Sequence, residues 1–159
     1  MADAILTSLV YVERDGKYLM LHRTKRENDV NAGKWIGVGG KFEQDESPEE
    51  CAIRETREET GLTLLRPVFR GIVTFVNDVC PTEYMHLFTC DDFAGTVRDC
   101  DEGELAWVEK SRVPSLPLWA GDRIFLSLLS RDAPFFSLKL VYTGDTLVRA
   151  ILDGRELPL

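Results

Sequence analysis

Residues 40–62 read Gly40-Lys-Phe-Glu-Gln-Asp-Glu46-Ser-Pro-Glu-Glu-Cys-Ala-Ile-Arg54-Glu55-Thr-Arg-Glu58-Glu59-Thr-Gly61-Leu62. The signals that start a helix stand in the middle of this stretch. Ser47 suits the N-cap, Pro48 suits the first helical position, and Glu50 completes a capping box. Gly61 suits the left-handed position that follows a last helical turn. The stretch therefore predicts a glycine turn that leads into a helix over about residues 48–60.

Three carboxylates of this predicted helix share one side. At roughly 100° per residue, Glu55, Glu58 and Glu59 fall on one arc that should face the protein. They repel one another, and they crowd the C-terminal half of the helix, where the helix dipole disfavours negative charge. Arg54 can reach Glu50 and Glu58 and offsets only part of this repulsion. A hard cation such as Mg²⁺, which takes oxygen ligands, would offset the rest. The alternative is a solvated acidic helix face.

The spacing of these residues resembles the Nudix box, with one departure. Thr56 stands where the box has a bulky apolar residue, although threonine still packs on a buried helix face. The resemblance implies a Nudix hydrolase, which cleaves nucleoside diphosphates linked to another moiety. It also implies an α/β/α sandwich with a mixed β-sheet between helices. The residues that fall in register are Gly40, Glu46, Arg54, Glu55, Glu58, Glu59, Gly61 and Leu62.

The same resemblance assigns roles to the box residues. It implies a metal site that uses the Gly40 carbonyl and the carboxylates of Glu55, Glu58 and Glu59, with Mg²⁺ or Mn²⁺ as the cofactor. Arg54 then orients the acids. Glu46 secures the loop and contacts Arg54, and Gly61 ends the helix.

The general base is left open between a box glutamate and an acid of a later loop. Residues 99–104 supply candidates, of which Glu102 is favoured, both as the base and as a further metal ligand. The alternative is that this acidic run is a solvated loop.

Almost the whole chain resembles the MutT/MutX-type bacterial 8-oxo-dGTP diphosphatases. These enzymes convert an oxidised purine nucleoside triphosphate to its monophosphate and pyrophosphate, which cleans the nucleotide pool. The matching stretches are residues 34–41, 119–122, 134–139 and 142–145. Tryptophan stacking on a base is worth about 1–3 kcal/mol.

By this resemblance, Trp119 stacks on a purine and Asp122 hydrogen-bonds to its edge, while Arg23 contacts a phosphate. Each has a structural alternative. Trp119 could be a loop anchor on the core, Asp122 only the N-cap of a second helix, and Arg23 a surface ion pair. The remaining predicted substrate residues are Trp35, Gly39 and Lys41.

Features outside the box bear on the choice of substrate. Mammalian sanitizers of oxidised purines carry asparagine where Ile36 stands, whereas the bacterial proteins share the isoleucine. Other nucleoside triphosphates, ADP-ribose and dinucleoside polyphosphates are alternative substrates. Asn77 lies near the place where ADP-ribose enzymes usually carry proline, which argues against ADP-ribose. A non-catalytic ligand sensor would generally have lost box acids, and none is missing here.

Length and charge narrow the function classes. A chain of 159 residues with net charge −8 predicts a single domain, residues 1–159, that binds neither nucleic acid nor a membrane surface. The four cysteines lack metal-type spacing, so we expect Cys51 in the helix, the other three as buried or strand thiols, a reducing cytoplasm and no disulfide. A small-molecule nucleotide is the expected partner, and the protein is expected to be a monomer or a homodimer.

Patterning predicts a mixed α/β domain around the box. Residues 24–34 should form a loop over the site, and residues 64–76 one long or bent strand. A second helix should cover residues 123–130, with Asp122 near its N-cap. The other predicted strands cover residues 4–13, 17–23, 35–38, 83–90, 104–109, 138–142 and 146–151, the last two forming a hairpin around residues 143–145.

Overall fold

The computed structural model describes residues 3–25 and 28–159. In these residues, two α-helices divide the strands into three groups along the chain. They are β1 (Ala4–Arg14), β2 (Lys17–Arg23), β3 (Trp35–Ile36), α1 (Pro48–Thr60), β4 (Thr63–Leu64), β5 (Val68–Val76), β6 (Thr82–Cys90), β7 (Phe93–Ala94), β8 (Gly103–Glu109), α2 (Asp122–Ser130), β9 (Phe136–Thr143), β10 (Thr146–Leu152) and β11 (Arg155–Glu156), with a short 3-10 turn at Val113–Ser115.

One mixed sheet dominates the molecule. Its strand order is β11-β10-β9-β5-β6-β1-β2-β3, and β8 also pairs with β2. The β1–β6 and β5–β9 pairs are parallel, whereas the neighbouring pairs are antiparallel. Strand β2 pairs with β1 only at Glu13 and Arg14. Earlier along β1, isolated bridges to Val38 and Lys41 replace that pairing. The glycine loop (residues 39–47) therefore starts against the edge of β1.

The two helices lie on opposite faces of the sheet. Strand β1 contacts both of them, because its alternate side chains point to opposite faces. Val10 and Val12 belong to a buried cluster that includes Ala52 of α1. Leu9 and Tyr11 belong to another cluster, which includes Phe125 of α2. This arrangement is the predicted α/β/α sandwich.

Helix α1 covers the predicted residues. Ser47 Oγ accepts a hydrogen bond from Glu50 N at 3.1 Å, and Ser47 N donates to Glu50 Oε1 at 2.9 Å, which completes the capping box. Gly61 has φ 83°, and its N–H donates to the Arg57 carbonyl at 2.9 Å. The contact expected between Arg54 and Glu50 is absent from the described part of the chain, because the cap already uses the Glu50 carboxylate.

The prediction of one strand over residues 64–76 is wrong. Strand β4 pairs with β7 in a separate two-stranded sheet, and β5 belongs to the large sheet. Between them, the N–H groups of Leu65 and Arg66 donate to the Asp92 carbonyl, and Pro67 has no N–H to offer a ladder. Strands β7 and β11 were not predicted because two residues show no periodicity. The other strand ends differ from the prediction by up to two residues.

The cysteines are free thiols, and three of them are buried as expected. Cys80 is exposed and lies between β5 and β6, so the prediction of a buried or strand thiol is wrong there. Neither helix in the described residues has the length and apolar character needed to cross a membrane.

Candidate active site

A cavity of about 580 Å³ opens between the glycine loop and the segment that precedes α2. One end is walled by α1 and the glycine loop, and the other end by β5, β6 and the start of α2. Most of the predicted site residues line it. They are Arg23, Gly39, Gly40, Lys41, Glu55, Glu59, Glu102, Trp119 and Asp122.

Two glycines allow the glycine loop to pass between β1 and α1. A Cβ atom on Gly40 would lie 2.5 Å from the Glu55 carboxylate, and one on Gly39 would lie 2.0 Å from the Ser8 carbonyl oxygen. Gly39 N donates to Glu59 Oε2 at 3.1 Å, and the Gly40 carbonyl accepts from Ser8 N at 2.9 Å. Larger residues at either position would push the loop away from the acids.

Burial disfavours the charged form of both box acids in the cavity wall, Glu55 and Glu59. Burial, together with the negative charges of Glu102 and Glu55, raises the pKa of Glu59 to about 8. Burial also raises the pKa of Glu55, although its ion pair with Arg54 acts in the opposite direction. The charge of Glu59 is thus destabilised unless a cation approaches it.

The donor set of this region suits a hard divalent cation. Glu55, Glu59 and Glu102 offer carboxylate oxygens, and Gly40 offers a carbonyl oxygen, which are ligands that Mg²⁺ prefers. In the described residues, no three acidic, histidine or cysteine side chains are gathered closely enough to enclose an ion. The predicted ligands thus fit a metal by their chemistry, and the metal site stays a prediction.

Glu58 differs from the other two box acids. Its side chain is 58% exposed, and its Oε2 lies 3.2 Å from Arg54 Nη1. It is not among the residues of the cavity wall. Its predicted role as a metal ligand is therefore not supported by its position, and it stays a prediction.

Arg54 connects the glycine loop to the acids. Its guanidinium donates to both oxygens of Glu46, at 2.6 and 2.8 Å, to Glu55 at 2.7 Å and to the Lys41 carbonyl at 3.0 Å. The hydrogen bonds from Arg54 lower the pKa of Glu46 to about 2. The expected contact between Glu46 and Arg54 is present.

Arg23 and Glu102 form an ion pair in the cavity wall. Arg23 Nη1 lies 2.8 Å from Glu102 Oε2, and Arg23 Nε lies 2.7 Å from Asp29 Oδ2. The side chain of Glu102 is only 19% exposed, so the solvated-loop alternative does not describe it. Lys25 adds a hydrogen bond from its N to the Glu102 carbonyl at 3.2 Å. The contact of Arg23 with a phosphate remains a prediction, since carboxylates occupy its guanidinium here.

Trp119 is both a core residue and part of the cavity wall. It is 5% exposed and packs edge-on against Phe75 and Tyr142. Its Nε1 donates to Asn31 Oδ1 at 2.8 Å, and the Lys34 ammonium lies 4.3 Å from its ring centroid. The loop-anchor alternative therefore describes its packing, while its place in the cavity keeps the predicted stacking open.

Asp122 is a buried carboxyl group that faces the cavity. It is 6% exposed, and no described residue donates a hydrogen bond to its side chain. The N-cap alternative is wrong, because Gly121 holds that position and α2 has no side-chain cap. Burial raises the pKa of Asp122 to about 8. At neutral pH this carboxyl group is therefore largely protonated, and it can both donate and accept hydrogen bonds.

Trp35 does not lie in the cavity wall of the described structure. Its ring stacks on His22 with centroids 4.5 Å apart, and its backbone N–H donates to the Pro117 carbonyl at 2.8 Å. Conversely, Asn31 and Glu83 line the cavity but were not among the predicted site residues. Glu83 carried a usable signal, since it falls in phase with the apolar residues of its strand. Asn31 had no such signal, because its position depends on the fold of a loop.

Comparisons with known proteins agree with this architecture. A family model described as NUDIX domain matches residues 5–129. An uncharacterized Nudix hydrolase of Bacillus subtilis is 31% identical over 139 residues, 84% of each chain. An oxidized purine nucleoside triphosphate hydrolase of Danio rerio is 30% identical over 160 residues, which cover 98% of this chain and 99% of that protein. The crystal structure of a MutT protein from Bacillus halodurans superposes with a TM-score of 0.84 at 28% identity, covering 94% of this chain and 97% of that one.

Proposed function

This chain belongs to the Nudix family of hydrolases, and we propose that it is a Mg²⁺-dependent pyrophosphohydrolase for oxidised purine nucleoside triphosphates of the 8-oxo-dGTP type. The products would be the nucleoside monophosphate and pyrophosphate. The observation that carries this proposal is one continuous cavity. It joins the acids Glu55 and Glu59 at one end to Trp119 and Asp122 at the other.

The acidic end suits the chemistry of phosphate anhydride cleavage. A bound Mg²⁺ would neutralise phosphate charge and acidify a water molecule. Arg54 holds Glu55 in place, and the Gly39 N–H orients Glu59. We propose Glu102 as the acceptor of the water proton. Arg23, its present partner, would then turn toward a phosphate, because a phosphate oxygen can replace a carboxylate oxygen as its hydrogen-bond acceptor.

The other end suits a modified purine. An 8-oxopurine presents an N–H donor beside a C=O acceptor on its five-membered ring. A protonated carboxyl group, such as that of Asp122 at neutral pH, offers the complementary acceptor and donor. Asn31 and Trp119 lie in the same wall, and Ile36 adds an apolar surface. The name of the fish relative, an oxidized purine nucleoside triphosphate hydrolase, supports the same substrate class.

We also propose that the protein acts as one domain on free nucleotides in the cytoplasm, as a monomer or a homodimer. Its net charge of −8 disfavours binding to nucleic acid or to an anionic membrane surface. Metals at the site would allow a phosphorylated substrate to bind despite this charge.

A substrate panel tests the proposal. The measurement is kcat/KM for 8-oxo-dGTP, dGTP, dATP, CTP and ADP-ribose, each with Mg²⁺ and with EDTA. We expect a large preference for 8-oxo-dGTP that disappears in EDTA. A flat profile among the triphosphates would remove the roles of Trp119 and Asp122 in base recognition. Activity that persists in EDTA would remove the metal assignment.

A further inference from the structure

Glu83 is a second carboxylate at the nucleoside end of the cavity, outside the family motif. It is the second residue of β6, and its side chain faces the cavity with Met85. Thr7 Oγ1 donates a hydrogen bond to Glu83 Oε2 at 2.7 Å. The second carboxylate oxygen, Oε1, accepts no hydrogen bond from the described residues. One oxygen is therefore fixed by the protein, and the other is left for a ligand.

The strand register places Glu83 between the two ends of the cavity. Thr7 of β1 has a neighbour on each side in the sheet. Lys41 of the glycine loop is bridged to it on one side, and Met85 of β6 is paired with it on the other. Glu83 itself is paired with Phe75 of β5, whose ring lies 5.2 Å from that of Trp119. A ligand that spans from the acids to Trp119 would thus pass beside Glu83.

The surroundings of Glu83 do not explain why a carboxylate is there. Its neighbours on the same face of β6, Met85 and Leu87, are apolar, and Leu87 is fully buried. Burial raises the pKa of Glu83, while the hydrogen bond from Thr7 and the charge of Lys41 lower it. No ion pair joins Lys41 to Glu83 in the described residues. A partly desolvated carboxylate with one unused oxygen costs stability unless a ligand uses it.

We propose that Glu83, held by Thr7, is a specificity-determining residue that accepts a hydrogen bond from an N–H or O–H group on the nucleoside part of the substrate. This inference rests on the proposed hydrolysis of nucleoside triphosphates. A guanine deoxynucleotide offers two such donors that can be removed separately. They are the 3′-hydroxyl of the sugar and the exocyclic amino group of the base. Thr7 is the positioning residue.

The test pairs protein variants with substrate analogues. Glu83→Gln keeps the shape of the side chain. If Thr7 still donates to the amide oxygen, the variant turns an NH₂ group toward the ligand. Thr7→Val removes the fixing hydroxyl, and Glu49→Gln is the matched control on an exposed site. The substrates are dGTP, its 2′,3′-dideoxy analogue and deoxyinosine triphosphate, which lacks the exocyclic amino group.

We expect the unchanged protein to lose about tenfold to a hundredfold in kcat/KM on one of the two analogues, as for a charge-assisted hydrogen bond. Glu83→Gln should have a lower kcat/KM on dGTP. Its kcat/KM values on dGTP and on the analogue that the unchanged protein disfavours should agree within about threefold. Thr7→Val should shift in the same direction, and Glu49→Gln should behave as the unchanged protein. The dideoxy arm identifies the sugar as the donor, and the inosine arm identifies the base.

Equal discrimination by Glu83→Gln and the unchanged protein on both analogues would overturn the inference, and Glu83 would then be structural. If Glu83→Gln does not fold, Thr7→Val provides the same comparison. If the unchanged protein hydrolyses neither these triphosphates nor 8-oxo-dGTP, the proposed function fails. Wherever the three triphosphates are not hydrolysed, the inference is decided by calorimetric binding of the three corresponding monophosphates, where an absence of coupling, or of any binding, overturns it.

Discussion

Arg54 binds the Glu46 carboxylate at two points, Nε to Oε2 at 2.6 Å and Nη2 to Oε1 at 2.8 Å. The same guanidinium reaches the Lys41 carbonyl at 3.0 Å and Glu55 at 2.7 Å. One side chain thus joins the glycine loop, the residue before the α1 cap and an acid of the cavity. Paired, charge-assisted hydrogen bonds fix geometry better than single ones. We infer that the position of Glu55 in the cavity depends on Glu46.

The Arg54–Glu46 pair predicts an acid-sensitive contribution to stability. The pKa of Glu46 is about 2 in the folded protein, against an ordinary value of 4.5. Its stabilisation is therefore complete above about pH 5 and is lost as the pH falls toward 2. Glu46→Gln should lower the free energy of unfolding by about 1–2 kcal/mol at pH 7, allowing for solvent screening. Urea denaturation from pH 7 down to pH 3 should show this difference shrinking.

Glu43 provides the control for this pair. Its carboxylate lies 3.5 Å from Arg54 Nη1, but its side chain is 65% exposed. Glu43→Gln should therefore change the free energy of unfolding by less than about 0.5 kcal/mol. An equal loss in both variants would mean that general negative charge near Arg54 stabilises the loop, rather than the two-point contact.

Thr56 predicts a stabilising substitution. Its Oγ1 is buried and has no hydrogen-bond partner. Thr56→Val removes this unsatisfied group and keeps the β-branched shape, so it should raise the free energy of unfolding by about 1 kcal/mol. Thr60 is the matched comparison, because its Oγ1 donates to the Thr56 carbonyl at 2.6 Å and accepts from Leu62 N at 3.0 Å. Thr60→Val should lower stability by about 1–2 kcal/mol. Thermal unfolding would contradict this reading if both variants lost stability equally.

The sequence predicted α1 to the residue because its signals are local. Ser47, Glu50 and Gly61 act on the backbone within one helical turn. The same helical arc could not show which acids enter the cavity. Glu55 and Glu59 lie in the wall, whereas Glu58 is mostly exposed, so the boundary between protein and solvent cuts through the arc. Only the packing of α1 on β1 fixes that boundary.

Long-range pairing accounts for what the sequence did not reveal. The break between β4 and β5 depends on the carbonyl of Asp92, which lies more than twenty residues further along the chain. Asp122 was considered as a helix cap because its position suits one, yet the fold buries its side chain in the cavity. The sequence predicted Glu83 only as a strand residue, because its contact with Thr7 of another strand depends on the fold.

Asp122 predicts a dependence of stability on pH that is opposite to that of Glu46. Its pKa is raised from 3.8 to about 8, so the unfolded chain releases this proton first and stability is lost as the pH rises from about 4 to about 8. Asp122→Asn should match the unchanged protein near pH 4 and exceed it by about 2–4 kcal/mol at pH 8.5. Asp145→Asn is the control. The charge of Lys34 acts on Asp122 and on Asp145, which lies 3.7 Å from it, but the Asp145 side chain is 80% exposed. If Asp122→Asn raised the free energy of unfolding by the same amount at every pH, burial would not be what raises the pKa of Asp122.

We expect replacement of Glu59 to stabilise the metal-free protein and to weaken its binding of metal. Its carboxylate is buried near Glu55 and Glu102, whose charges oppose its own. At pH 8 in EDTA, Glu59→Gln should raise the free energy of unfolding by about 1–3 kcal/mol, because the amide carries no charge. Adding Mg²⁺ should stabilise the unchanged protein and leave the variant nearly unaffected. Equal stabilisation of both proteins by Mg²⁺ would exclude Glu59 as a ligand.

Glu58 gives the sharpest test of the predicted metal set, because its position and its predicted role diverge. Its exposed carboxylate pairs with Arg54 at 3.2 Å, so Glu58→Gln should change the free energy of unfolding in EDTA by less than about 0.5 kcal/mol. If Glu58 turns toward a metal when the substrate binds, the same variant should lose at least about a hundredfold in kcat. Exposed Glu49, on the first turn of the same helix, supplies the control Glu49→Gln, which should retain full turnover. Full turnover in Glu58→Gln as well would restrict the ligands to residues of the cavity wall, with Glu55 and Glu59 as the helix's contribution.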